Sequence, residues 1–176
     1  SLHDALPICF TRMALIAAVY TVVSLLIAPL AFGPWQIRFS EALMLLCLSD
    51  MDNVCALTIG CFLTNLIGVM TGANTVGLMD IIFGTAATFI AGVLMQLTKN
   101  VKFGKWPVVA GLMPVIINGI IVGLEIAILD AGNTSAMLSS WLIYGLEVAA
   151  GEFLSCVVIG LPLWVLILKN RIYPNN

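Results

Sequence analysis

The chain has 176 residues, of which 61% are hydrophobic and 9% are charged, and its formal net charge is -2. Soluble domains carry roughly a quarter charged residues, so this composition and a mean hydropathy of +1.12 exclude a soluble globular domain and indicate one compact membrane bundle. The net charge by itself implies nothing about nucleic acid, but the sequence has no basic patch that would bind it, so we expect no nucleic-acid partner.

The first eight residues, Ser1–Ile8, differ from the rest of the chain. They lack an initiator methionine, interrupt the membrane pattern and match the translation of a widely used sequencing adapter. We therefore expect residues 1–8 to be a non-native segment and residues 9–176 to form a single six-helix transmembrane domain. His3, the only histidine, falls in the first segment, so we give it no role.

Hydropathy and length predict an all-α membrane protein with six transmembrane helices. The predicted segments are, in chain order, Met13–Leu30, Ser40–Leu48, Val54–Met70, Val76–Thr98, Pro107–Leu129 and Met137–Leu168. The second is too short to span a bilayer alone, so either Phe32–Phe39 or the turn Ser49–Asn53 should dip into the membrane. The sixth is too long for one perpendicular span, which predicts a tilt or a bend near Gly160 and Pro162.

The turn between the first two predicted helices carries the first charged pair of the membrane region. Gly33 and Pro34 should end the first helix, and Ser40 with Glu41 should cap and begin the second. Arg38 lies three residues before Glu41 in this turn. Charge inside or at a membrane is costly and is by default a functional-site hypothesis.

The basic residues indicate an orientation. If both termini are cytoplasmic, Arg38 is the only one of the seven lysines and arginines on the outer side. The cytoplasmic segments then hold Arg12, Lys99, Lys102, Lys105, Lys169 and Arg171. Since cytoplasmic loops are enriched in lysine and arginine, this distribution favours cytoplasmic N- and C-termini.

In this orientation the intramembrane polar side chains gather in the outer half of the bundle, whereas the inner half is almost wholly apolar. The group comprises Glu41, Asn65, Asp80, Asn118, Glu125, Glu147 and Glu152. A pore or a proton wire needs polar groups across the full thickness of the membrane. The asymmetry therefore predicts a blind pocket that is open outward and sealed inward.

The intramembrane carboxylates outnumber the nearby cation Arg38, so most of them should face the interior of the bundle. One interpretation is structural: Arg38 pairs with Glu41, and the other acids bond to backbone or lie at the interface; for Asp80 a helix N-terminus supports this. For Glu125 and Glu147, deeper in apolar runs, the pattern favours ligand contact. A carboxylate can accept two parallel hydrogen bonds from a planar N–H/NH₂ edge.

For two further residues the sequence is compatible both with contact to a ligand and with a simpler structural or interfacial role. Glu152 is as compatible with a structural role as with substrate contact. Trp35, beside the Gly33-Pro34 break, could stack on a flat ligand or belong to the aromatic belt at the outer interface.

Enzymatic chemistry finds no support in the sequence. Without a usable histidine there is no Ser-His or Cys-His pair, and no glycine-rich phosphate loop is present, so we expect neither catalysis nor ATP hydrolysis by this chain. We expect no metal site and no cofactor, because the cysteines lie scattered in apolar runs without metal-ligand spacing. They are Cys9, Cys47, Cys55, Cys61 and Cys156.

Four motifs carry a family resemblance: Gln36–Leu43, Gly77–Gly84, Asn118–Glu125 and Gly151-Glu152. Together they resemble the QueT family of queuosine-precursor transporters, which are substrate-binding (S) components of energy-coupling factor (ECF) transporters. The similarity runs from about Ala14 to Leu168. It implies an S-component-like bundle in the bacterial cytoplasmic membrane that captures a 7-deazaguanine precursor from outside for ATP-driven uptake.

The resemblance also implies partners, namely a transmembrane coupling subunit and two cytoplasmic ATPases. Ala14 and Ala18 match the Ala-xxx-Ala pattern with which S components contact the coupling subunit, and small residues at this spacing allow close helix approach. The turn Ser49–Asn53 departs from the family pattern because it is more acidic and poorer in proline.

The predicted substrate site is built from one cation, one amide, one aromatic ring and five carboxylates. These are Trp35, Arg38, Glu41, Asp80, Asn118, Glu125, Glu147 and Glu152. Two alternative functions stay open. One is an autonomous, proton-coupled secondary transporter that uses Glu147 or Glu152, and the other is an S component for a different flat, donor-rich vitamin.

Overall fold

The computed structural model of the chain describes residues 2–33, 36–130 and 137–169. Within these ranges the chain is helical apart from its turns and forms no strand. The elements are α1 (Leu2–Leu26), α2 (Ala28–Ala31), an inner 3₁₀ helix (Phe39–Leu48), α3 (Met51–Met70), α4 (Leu78–Thr98), α5 (Val108–Asp130), α6 (Met137–Glu152), a π-helical segment (Phe153–Gly160) and α7 (Leu161–Lys169).

Five helical stretches among the described residues are long and apolar enough to cross a membrane. They are Leu6–Leu26, Met51–Met70, Leu78–Thr98, Val108–Asp130 and Met137–Ile167. The prediction of an all-α membrane protein is therefore confirmed. The second predicted helix, Ser40–Leu48, is present only as the inner 3₁₀ helix, whose ten residues rise about 2.0 Å each and fall short of the ~30 Å hydrocarbon core.

The inner 3₁₀ helix lies at the centre of the bundle, where it contacts α1, α3, α4, α5, α7 and the π-helical segment. Its start differs from the prediction: Arg38, in an extended conformation, occupies the N-cap position, and no side chain caps the helix. Ser40 instead shares a 2.6 Å hydrogen bond with Ser24 of α1. The predicted cap was wrong because the Ser40 hydroxyl is used to join two helices.

The first helix also differs from the prediction. The predicted helix starts at Met13, directly after Arg12, whereas α1 begins at Leu2 and includes Arg12. The Arg12 guanidinium lies 3.2 Å from Asp50 and 3.5 Å from Asp52, at the start of α3. Asp50 accepts a 2.9 Å hydrogen bond from the backbone N–H of Asn53, which is an N-cap interaction. The cap starts α3 at Met51, so the predicted turn Ser49–Asn53 is shorter than expected.

The long last helix is irregular where the sequence predicts it. The π-helical segment Phe153–Gly160 lies directly before Pro162, which cannot donate a backbone hydrogen bond. Gly160 allows the inner 3₁₀ helix to approach, because a Cβ at this position would lie 2.7 Å from Leu45 Cδ2 and 3.3 Å from Ala42 Cα. The glycine thus positions the 3₁₀ helix against the last helix.

The main hydrophobic core lies toward one end of the bundle, which we call the basic end because α4 stops there beside Lys99. Buried side chains in this core include Leu48, Val54, Met95 and Trp164. The opposite end, the loop end, holds the connection 71–77 between α3 and α4 and the last turn of α5. Buried polar side chains lie between the middle of the helices and the loop end.

Candidate functional site

A buried ion pair joins the start of the inner 3₁₀ helix to the start of α4. Arg38 Nη2 lies 3.1 Å from Asp80 Oδ2 and donates to Gln36 Oε1 at 3.0 Å, while Nε donates to the Ala31 carbonyl at 3.2 Å. Arg38 is 5% exposed and Asp80 is fully buried. The proposed structural pairing of Arg38 with Glu41 is therefore wrong.

Two asparagines hold Asp80 in place. Asn74 Nδ2 donates to Asp80 Oδ2 at 2.7 Å, and Asn65 Nδ2 donates to the Asp80 backbone carbonyl at 2.8 Å. Gly84 leaves the space that this arrangement needs, because a Cβ there would lie 2.2 Å from Asp80 Oδ1 and 2.8 Å from Asn65 Nδ2. Asp80 thus has one satisfied oxygen and one, Oδ1, that has no hydrogen-bond partner within the described part of the chain.

A second polar cluster lies where the inner 3₁₀ helix meets α5 and the π-helical segment. The Tyr20 hydroxyl donates to Glu41 Oε1, and Asn118 Nδ2 donates to Glu152 Oε1 at 2.9 Å. Cys156 Sγ lies 3.6 Å from Glu152 Oε2, and ligand atoms of Glu41, Glu152 and Cys156 fall within 4.8 Å of one another. Such a group could hold a cation, but two of its carboxylate oxygens already accept hydrogen bonds from neutral donors.

Glu125 stands apart from these paired groups. It is 3% exposed, and both of its carboxylate oxygens are buried without a hydrogen-bond partner among the described residues. It interacts electrostatically with Asp80 and Arg38, which connects α5 to the ion pair. A buried acceptor without a partner costs about 1–3 kcal/mol, and more when it is charged. Glu125 therefore presents two strong, unused acceptors inside the bundle.

An open pocket of about 560 Å³ lies at the loop end. Its lining includes Phe32 and Gln36 from the segment before the inner 3₁₀ helix and Thr75 from the connection between α3 and α4. Ile126 of α5 and Tyr144 of α6 line it as well. The volume falls within the roughly 300–1,000 Å³ typical of small-molecule sites. Gln36 is common to this pocket and to the Arg38 hydrogen bonds. The pocket thus opens beside the Gln36–Arg38 hydrogen bond.

Toward the basic end the described interior is closed by the hydrophobic core. The buried Asn53 donates to the Leu46 carbonyl at 2.9 Å, and Gln96 donates to the Cys47 carbonyl, so both amides satisfy the end of the inner 3₁₀ helix. Both hydrogen bonds end on backbone carbonyls of the inner 3₁₀ helix. Among the described residues, the pocket at the loop end and the hydrophobic core thus lie toward opposite ends of the bundle.

The family model of the QueT transporter matches residues 10–169, which is most of the chain. The chain belongs to the QueT transporter family. No curated protein and no solved structure matches it. Together with the five apolar helices, family membership makes it a multi-pass membrane protein that serves transport and not enzymatic catalysis.

The structure of this QueT family member distributes the predicted site residues unevenly. Arg38 and Asp80 are directly paired, Glu125 lies in electrostatic range of both, and Asn118 is bonded to Glu152. Glu41 belongs to the second cluster and is linked to the first electrostatically, through Arg38.

Other predicted residues are less connected. Glu147 is half-buried with one oxygen, Oε2, buried and unpartnered. Ala14 and Ala18 are exposed on α1, and Trp35 lies outside the described residues.

Sequence reasoning missed three residues of the site in this QueT family member. Tyr20 bonds to Glu41, Asn74 bonds to Asp80, and Gln36 bonds to Arg38. Gln36 stands inside the first family motif, and Asn74 stands in the glycine-rich turn after α3, but neither position is charged or unusual in spacing. Their roles follow only from the packing of helices that are distant in the sequence.

Proposed function

We propose that this QueT family member is the S component of an ECF transporter and captures a queuosine precursor with a 7-deazaguanine base. Capture would take place from the outside of the bacterial cytoplasmic membrane. The observation that carries the proposal is Glu125, a buried carboxylate with two unpartnered oxygens. A guanine-like base offers a matching edge, because its ring N–H and exocyclic NH₂ are parallel donors.

The balance of unpartnered groups around Glu125 supports a donor-rich substrate. Acceptor atoms are also buried and unpartnered on Asp80 (Oδ1), Asn65 (Oδ1) and Glu41 (Oε2). A ligand that supplies N–H groups or an ammonium would satisfy them, whereas an anionic ligand would add repulsion to an acidic interior. A 7-deazaguanine precursor that carries an amine meets both requirements.

The orientation of the site supports capture from outside. The basic residues favour cytoplasmic termini, which puts the loop end and its pocket on the outer side. The hydrophobic core then lies between the pocket and the cytoplasm. A site closed on one side cannot release its substrate inward unaided, so transport would need movement of the whole subunit.

Such movement requires a partner and an energy source. We assign these roles to a transmembrane coupling subunit and two cytoplasmic ATPases, as the family resemblance implies. Ala14 and Ala18 are exposed on α1 at the small-xxx-small spacing that lets another helix pack closely. We therefore propose this face of α1 as the contact with the coupling subunit.

The test is binding of a tritiated 7-deazaguanine precursor to the purified chain in nanodiscs, followed by uptake assays in cells. We expect saturable binding without any ATPase, a preference between the amine and nitrile forms, and uptake only when the coupling subunit and the ATPases are present. Uptake without ATPases would instead support the proton-coupled alternative through Glu147 or Glu152. Absence of binding together with binding of another flat vitamin would reassign the substrate.

A further inference from the structure

Gln36 has an unfavourable backbone conformation and a buried amide group that lacks part of its hydrogen bonding, and its contacts do not explain either feature. The residue is 3% exposed, and its backbone has a φ of 47°, a left-handed conformation that few residues other than glycine and asparagine adopt readily. Its Nε2 group is buried without a hydrogen-bond partner among the described residues. A strained backbone that carries an unpaired polar group is characteristic of functional sites.

The neighbouring arginine decides which end of the Gln36 amide is free. A guanidinium has only donors, so the atom that lies 3.0 Å from Arg38 Nη2 must be the amide oxygen. Arg38 is itself fixed by Asp80 at 3.1 Å and by the Ala31 carbonyl at 3.2 Å. The amide is therefore locked with its NH₂ group as the unpartnered end.

Gln36 lies at the edge of the loop-end pocket, with its Nε2 atom enclosed just behind the pocket surface. It lines the 560 Å³ pocket, together with Ile126, the residue that follows Glu125. Arg38, the hydrogen-bond partner of Gln36, is also close enough for its charge to act on Glu125 of α5. Among the described residues the bundle thus holds an unpartnered donor on Gln36, at the pocket, and two unpartnered acceptors on Glu125.

We propose that Gln36 is a specificity-determining residue that donates its amide N–H to a carbonyl oxygen of the substrate, beside the N–H edge that Glu125 accepts. This inference rests on the proposed function and assigns to Gln36 the discrimination of a lactam base, in which a ring carbonyl adjoins a ring N–H, from a base with an amine in place of the carbonyl. A 6-amino base reverses the pattern, because its amine and the Gln36 amide are both donors. The site then rejects it, since buried groups are left unpaired.

A purely structural role makes a different prediction. If Gln36 only positions Arg38, its substitution changes the affinity for every ligand by the same factor. If Gln36 reads the carbonyl, substitution changes the ratio of affinities for an oxo base and an amino base. The ratio therefore separates the two roles even when a variant is less stable.

The experiment measures binding of 7-deazaguanine and of 2,6-diamino-7-deazapurine to the full chain in nanodiscs by calorimetry. The variants are Gln36→Met, which keeps the length but removes the donor, and Gln36→Glu, which turns the donor into an acceptor. Gln96→Met is the control, because it removes a partly buried amide at the basic end that bonds to the Cys47 carbonyl. Thermal unfolding of each unliganded variant reports folding separately.

We expect the wild type to prefer the oxo base at least tenfold. Gln36→Met should reduce this preference about tenfold, and Gln36→Glu should abolish or reverse it, whereas Gln96→Met should leave the ratio unchanged. Equal binding of both bases by the wild type would overturn the inference, as would an unchanged ratio in Gln36→Met or Gln36→Glu, and either result would leave the proposed function intact. Failure of the wild type to bind either base would overturn this inference, and failure to bind the tritiated precursor as well would overturn the proposed function.

Discussion

Replacement of Glu125 by glutamine is the sharpest test of the proposed site, because it should weaken binding without weakening the fold. The substitution keeps the size and planarity of the side chain but exchanges one acceptor oxygen for an NH₂ group. Loss of one charge-assisted hydrogen bond costs about 1.5–3 kcal/mol. Since 1.4 kcal/mol is tenfold in affinity, we expect binding to weaken roughly 10- to 150-fold.

The free energy of unfolding should move in the opposite direction or stay the same. Both Glu125 oxygens are buried without a hydrogen-bond partner among the described residues, so the unliganded wild type bears the cost of burying an unbonded carboxyl group. Glutamine is neutral, and desolvation of a neutral amide costs no more than that of a carboxyl group that can ionise. Unliganded Glu125→Gln should therefore unfold at a temperature equal to or above that of the wild type.

Calorimetric titration with the 7-deazaguanine precursor and thermal unfolding without ligand measure the two effects on the same sample. Asp52→Asn is the charge-matched control, because Asp52 is half exposed at the basic end and pairs there with Arg12. It should leave the affinity at the wild-type value. Wild-type affinity in Glu125→Gln would refute the site, and a large loss of stability would show that Glu125 is structurally paired.

Three further substitutions test the surroundings. Asp80→Asn should lower the free energy of unfolding by about 3–5 kcal/mol, because it leaves a buried guanidinium unpaired; a thermal shift under 2 °C would contradict this. Gly84→Ala should cost about 1–3 kcal/mol and weaken precursor binding, since its Cβ would lie 2.2 Å from Asp80 Oδ1; unaltered binding would show that the site does not depend on this spacing. Ala14→Leu should spare precursor binding but reduce co-purification with the coupling subunit, and full co-purification would remove α1 from that interface.

The hydrophobic pattern determined much of the fold without tertiary information. Runs of about 20 apolar residues are a local property of the sequence, so α3, α4 and α5 could be placed within two or three residues at each end. The irregularity before Pro162 was equally predictable, because a proline interrupts the backbone hydrogen bonds of the helix that contains it. The start of α1 was missed because Arg12 was taken as a boundary.

The candidate site was only partly predictable. The sequence identified costly polar residues in apolar segments, and the structure pairs Arg38 with Asp80 and buries Glu125 without a hydrogen-bond partner among the described residues. It could not identify Gln36, whose importance comes from a backbone conformation and a neighbour that are set by folding.

The family motifs and the composition of the sequence by themselves determined that this is an all-α membrane protein of a transporter family with acidic residues in its interior. Tertiary structure alone decided that Arg38 pairs with Asp80, 42 residues away, and not with Glu41, three residues away. The reason is that Arg38 is extended, so the helical spacing that would bring it to Glu41 does not apply. Packing of α4 against the inner 3₁₀ helix supplies the partner instead, while the carboxylate of Glu125 in α5 has no hydrogen-bond partner among the described residues.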